Sequence, residues 1–168
     1  LPPVRLSPGT VNRDDHVAAA GYARQCLGVG PDEPIGDLTR LIEHGGIPVL
    51  LRNERFGAQM PELGSRGRLE KHLGCSTWVG EFGERPLVVM RELDSWERTR
   101  WTLAHELGHL MLHASVGEMT DEHEAEASRF ASEFLAPFAV VAPSVRGTPS
   151  LLNLLSDKEK WGIYLGAL

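Results

Sequence analysis

The order of hydrophobic periodicities along this chain predicts an α+β fold, a small mixed β-sheet packed against helices. Two short helical stretches come first, then a strand, then a hairpin of apolar runs, then a series of helices. The last strand leads into a helix carrying His105-Glu106-Leu107-Gly108-His109, and the chain is organised around that stretch. At 168 residues the chain is long enough for one domain with a real core. Hydrophobic residues at 42% and charged residues at 24% fit an ordinary globular domain and exclude wholesale disorder. No apolar run approaches the roughly 18 residues of a membrane span, so no membrane partner is expected. A net charge of −6 argues against a nucleic-acid surface. Cys26 and Cys75 have neither CxxC spacing nor a disulfide framework, and read as two reduced thiols of a cytoplasmic protein.

Residues 1–13 hold three prolines and no period, and read as a linker or lead-in. Asp14 or Asp15 is expected to cap a helix through Val17, Ala18, Tyr22, Ala23 and Cys26, ending near Gly28 and Gly30. Asp37–His44 reads as a short amphipathic helix stopped by Gly45-Gly46, and Ile47–Leu51 as a strand. Residues 52–75 read as loops, with room for a strand near 55–60. Ser76–Phe82 and Arg85–Arg91 are apolar runs joined by Gly83-Glu84, the pattern of a hairpin. The chain starts without Met and stops at Leu168 inside an apolar, helix-like stretch from Trp161. Both ends look cut, as in a piece of a longer protein with a missing upstream domain.

Asp94 followed three residues later by Glu97 resembles a capping box opening the central helix. Leu103, Leu107, Leu110, Met111 and Ala114 then make a core stripe. At about 100° per residue, His105 and His109 fall on nearly the opposite side, towards a cleft. Two histidines four apart on one helix face can grip one Zn²⁺, while Glu106 takes a proton from a water activated there. A catalytic zinc needs a third protein ligand. His113 continues the series but lies about 12 Å along the axis from His105, too far for one ion, and reads as a helix-end histidine favourable to the dipole. The next helix, Asp121–Pro137, buries Ala127, Phe130, Ala131, Phe134 and Leu135. Glu124 and His123 sit at its two shoulders, each about 50° from the stripe centre, while Glu126 lies more than about 100° away. Periodicity leaves Glu124 and His123 equal as the third ligand.

The stretch Arg100–Leu110 (RWTLAHELGHL), followed by Glu124–Pro137 (EAEASRFASEFLAP), resembles the ImmA/IrrE family of metallopeptidases. The resemblance implies a zincin-like domain over residues 14–168, cut short at its C-terminus, and it makes Glu124 the third ligand. Ser128 stands where the family has Asn or Asp, and Ala136 where it has Met. The implied function is a zinc-dependent endopeptidase domain of a regulatory protein. Its metal would be Zn²⁺, with Mn²⁺ the alternative, held by His105, His109 and Glu124, and Glu106 would be the catalytic base. The implied partner is a protein or peptide substrate such as a helix-turn-helix repressor, with DNA reached only through the missing upstream domain. The competing reading is a non-proteolytic zinc-fold sensor of a transcriptional regulator. Arg98, Arg100 and His113 are the candidates for stabilising the oxyanion, and Arg85–Arg91 is the strand on which a substrate would pair.

Overall fold

The computed structural model describes residues 15–52, 73–81, 84–91, 93, 95–114, 116–145 and 150–164. The lead-in at 1–13, the strand expected near 55–60, Gly83 and Asp94 lie outside these residues. Helix α1 spans His16–Leu27, α2 Leu38–His44, β1 Val49–Arg52, β2 Gly74–Val79 and β3 Arg85–Arg91. Four helices follow: α3 Trp96–Leu112, α4 Asp121–Leu135, α5 Phe138–Val145 and α6 Leu151–Trp161. The α+β expectation holds: the described residues form six helices and a small three-stranded mixed sheet, packed against α2 and α3. No helix among them is long and apolar enough to cross a membrane.

Local chemistry sets most boundaries. Asp15 Oδ1 accepts the Ala18 N–H at 2.8 Å, and Gly28 ends α1 at φ 76°, a conformation glycine adopts without penalty. Asp37 caps α2 in the same way, through the Arg40 N–H at 3.0 Å. The stripe expected on α1 is displaced. Val17 and Ala18 are exposed, Tyr22 and Cys26 are half-buried, and Ala19, Ala20, Ala23 and Leu27 form the buried face. The small alanines let α1 lie close against α4, and Arg24 is buried on that face too. Its Nη1 donates to Phe134 O at 2.6 Å, and its other nitrogens donate to Gly30 O and Glu33 O. A buried guanidinium is tolerated when carbonyls take its protons.

The sheet order is β1-β3-β2, with β1 parallel and β2 antiparallel to β3. Val88 pairs with Val49 on one side and Ser76 on the other. Val88, Val89 and Met90 are all buried, as in a strand covered on both faces. Ser95 caps α3, its Oγ accepting the Arg98 N–H at 3.4 Å and its hydroxyl donating to Glu97 at 2.7 Å, so the helix opens at Ser95 rather than Asp94. Leu103, Leu107, Leu110 and Met111 are buried, but α3 stops at Leu112 and Ala114 is exposed beyond it. The five expected stripe residues of α4 are all fully buried. Helix α6 ends at Trp161 because Gly162 turns the chain at φ 63°, so the helix expected to run on to Leu168 breaks there.

Arg100 fastens this C-terminal segment to α3. Buried at 6% exposure, it donates to Gly162 O at 3.1 Å, Trp161 O at 3.3 Å, Ile35 O at 2.8 Å and Gly36 O at 2.7 Å. Lys158 adds an ion pair with Glu97 at 2.8 Å.

Candidate metal centre

Helix α3 supplies His105, Glu106 and His109, and α4 crosses it so that Glu124 closes on them. The crossing depends on Gly108. A Cβ there would sit 3.1 Å from Phe130 Cδ1 and 3.2 Å from the Ala127 Cα, so only glycine allows this approach without displacement. His105 Nε2 lies 3.0 Å from His109 Nε2 and 3.1 Å from Glu124 Oε2, and His109 Nε2 lies 3.5 Å from Glu124 Oε1. Ligand atoms on a tetrahedral Zn²⁺ with bonds near 2 Å are about 3.3 Å apart, so this triangle has the size such an ion needs.

The far side of each ring is engaged as well. His105 Nδ1 is 3.3 Å from Ser128 Oγ, and His109 Nδ1 is 3.0 Å from His113 Nδ1. The two Nε2 atoms and the Glu124 carboxylate converge on one point, and two imidazoles with one carboxylate are a donor set suited to a divalent metal. Ser128 therefore reaches the His105 ring that the usual Asn or Asp would be expected to orient. Burial, and then the nearby His105, push the His109 pKa down to about 4, so the ring is neutral at pH 7. Partial burial pushes the Glu124 pKa up, but the two histidines outweigh it and hold the carboxyl below its ordinary value.

Glu106 is only 6% exposed and points at β2. A Cβ on Gly74 would lie 2.9 Å from Glu106 Oε1 and 3.0 Å from Thr102 Cγ2, so any side chain at residue 74 would displace the carboxylate from this position. Burial raises the Glu106 pKa to about 7; hydrogen bonds from the Ser76 hydroxyl and backbone N–H oppose the shift, and the Glu124 charge adds to it. All four residues line a cleft of about 330 Å³, walled by Leu73, Ser76, Trp101 and Met119.

The expected oxyanion candidates lie elsewhere. Arg100 spends its protons on four carbonyls, Arg98 is exposed, and none of the three lines the cleft. His113 is the C-cap residue of α3, as a helix-end histidine should be. Its ring, however, turns to His109 and Glu126 rather than to the helix terminus. His123, level with Glu124 by periodicity, is a capping residue: its Nδ1 accepts the Thr120 N–H at 3.1 Å at the start of α4.

The model of the Peptidase_M78 family, the IrrE N-terminal-like domain, matches residues 59–152, which hold every residue of this cluster. The chain belongs to that family. It is an ImmA/IrrE-type metallopeptidase domain with a zincin-like α+β fold, as its motifs imply. No curated protein matches the chain. The family match begins at residue 59, well before the Arg100–Leu110 stretch that opens the motif resemblance, and so takes in Gly74 and Ser76. Sequence reasoning missed both, along with Glu126. The signals available were the third histidine spaced four after His109 and the second carboxylate two after Glu124.

Proposed function

We propose that this domain is a cytoplasmic zinc-dependent endopeptidase of a regulatory protein, hydrolysing a peptide bond in a protein such as a helix-turn-helix repressor. The observation that carries the reading is the convergence of His105 Nε2, His109 Nε2 and Glu124 beside a buried carboxyl in one cleft. His105, His109 and Glu124 would hold the ion, which when bound supplies Lewis acidity to a water and a carbonyl. Glu106 accepts the proton of the attacking water as the new C–O bond forms. It then passes that proton to the amine nitrogen as the C–N bond breaks. In the metal-free site burial holds this carboxyl up to about 7, and a divalent ion held next to it would favour the carboxylate that takes the water's proton.

The substrate strand pairs elsewhere than on Arg85–Arg91, because both edges of β3 are taken by β1 and β2. Strands β1 and β2 are the outer strands among the described residues, and of the two it is β2 whose first residues, Gly74, Cys75 and Ser76, line the cleft. An extended peptide adding to β2 brings its backbone past Glu106.

The test is Glu106→Gln assayed against candidate repressors, with zinc content measured in parallel. Hydrolysis should fall by about 10² to 10⁴ while one equivalent of metal remains bound. Undiminished cleavage by this variant would sink the mechanism. A wild-type domain that binds zinc and cleaves none of the repressors would leave the sensor reading in its place.

A further inference from the structure

His113 and Glu126 take no part in the chemistry above, yet they are as closely fitted as the residues that do. The His113 side chain is 1% exposed, its Nδ1 lies 3.0 Å from His109 Nδ1, and its Nε2 lies 2.8 Å from Glu126 Oε2. We propose that Glu126 and His113 form a hydrogen-bonded relay that fixes the proton of His109 on Nδ1, so that its Nε2 lone pair is always presented to the metal. The proposal rests on the metal reading above.

The assignment follows from counting protons. An ionised carboxylate only accepts, so His113 Nε2 carries the hydrogen directed at Glu126. A neutral His113 then has a bare Nδ1, which must accept. The only ring proton that can fill the 3.0 Å gap is on His109 Nδ1, and a neutral His109 with that proton has a bare Nε2. The opposite arrangement would put a proton on His109 Nε2, facing His105 and Glu124, where it would compete with the ion. A carboxylate two rings away thus selects the tautomer of a ligand, as carboxylates commonly do one ring away.

His113, Glu126 and His123 also bring their ligand atoms within 4.8 Å of one another, which invites a second metal site. His123 argues against it. Its Nδ1 accepts the Thr120 N–H, so the neutral ring carries its proton on Nε2 and offers no lone pair there. Glu126 and His113 act as positioning residues for the first centre.

The experiment measures zinc affinity by chelator competition and ring protonation by ¹⁵N chemical shifts, on wild type, His113→Phe, Glu126→Ala and Glu126→Gln. Zinc should bind about 10- to 100-fold more weakly in His113→Phe and Glu126→Ala. Glu126→Gln keeps an acceptor oxygen and should lose less. In wild type the His113 proton should sit on Nε2 and the His109 proton on Nδ1, and in Glu126→Ala the His113 ring should become a mixture. Affinity unchanged in the folded Ala variant, or a His113 proton found on Nδ1 in wild type, overturns the relay. So does a second equivalent of zinc that His113→Phe removes. Should the Phe variant fail to fold, the two substitutions at partly exposed Glu126 decide the matter. Wild-type protein that takes up no zinc would refute the metal reading, and the ring tautomers of the metal-free domain would then decide the relay alone.

Discussion

Glu106 carries a cost in stability that follows from its burial. In the fold its carboxyl keeps a proton up to about pH 7, against an ordinary value of 4.5. Between those values the folded state binds more protons than the unfolded state, so the metal-free domain loses stability as pH rises through that window. Glu106→Gln removes the dependence and should stabilise the metal-free domain at pH 8 by up to roughly 3 kcal/mol, with no gain below about pH 4. Urea titrations of both proteins at the two pH values check it. Gly74→Ala pushes a methyl group against the same carboxylate and should lower kcat about tenfold or more while leaving zinc affinity alone. Sequence carried this scale part of the way. The i, i+4 spacing of His105 and His109 and the 1.5 Å rise that excluded His113 are properties of one helix. Periodicity left Glu124 and His123 level and the family motif chose Glu124; the Thr120 cap shows where His123 is used instead. Ser76 and Gly74 come from a strand about 30 residues upstream, and no periodicity links them to Glu106.

Two helices hold all three candidate ligands, so the α3–α4 crossing would set the geometry of an ion held there. Gly108→Val would force the helices apart at the Ala127 backbone and should weaken zinc binding by more than tenfold, besides lowering the melting temperature. Gly117→Ala meets nothing within 4 Å and serves as the neutral control. Unchanged zinc affinity in folded Gly108→Val would show that the centre tolerates a wider crossing. Elements with a strong apolar period, α4 above all, were legible residue by residue. The α1 face was not, because its contact is made by alanines and by a charged side chain. An arginine counts as polar in any pattern, and only the carbonyls of Gly30, Glu33 and Phe134 make Arg24 an interior residue. The hairpin was visible, but not that β3 would be the middle strand, since its pairing with β1 is set by contacts distant in sequence.

Across the whole molecule, Arg24 and Arg100 fasten segments that share no strand or turn. Arg100→Met should cost about 2 to 4 kcal/mol, because it leaves up to four inward-facing carbonyls without a donor, and chemical denaturation would measure it. Zinc should instead raise stability by mass action, about 4 kcal/mol at a thousandfold excess over its Kd, and EDTA should reverse that gain in a thermal melt. The partners of Arg100 lie 64 and 65 residues before it and 61 and 62 after it. A chain made from its N-terminus therefore meets the first pair as soon as α3 emerges, and waits some sixty residues for the second. Until Trp161 and Gly162 arrive, water must stand in for two carbonyls, and the helix bearing His105 and His109 lacks its support. On a nascent chain the support of α3 would thus be completed last, after every residue of the His105, His109 and Glu124 cluster has been made.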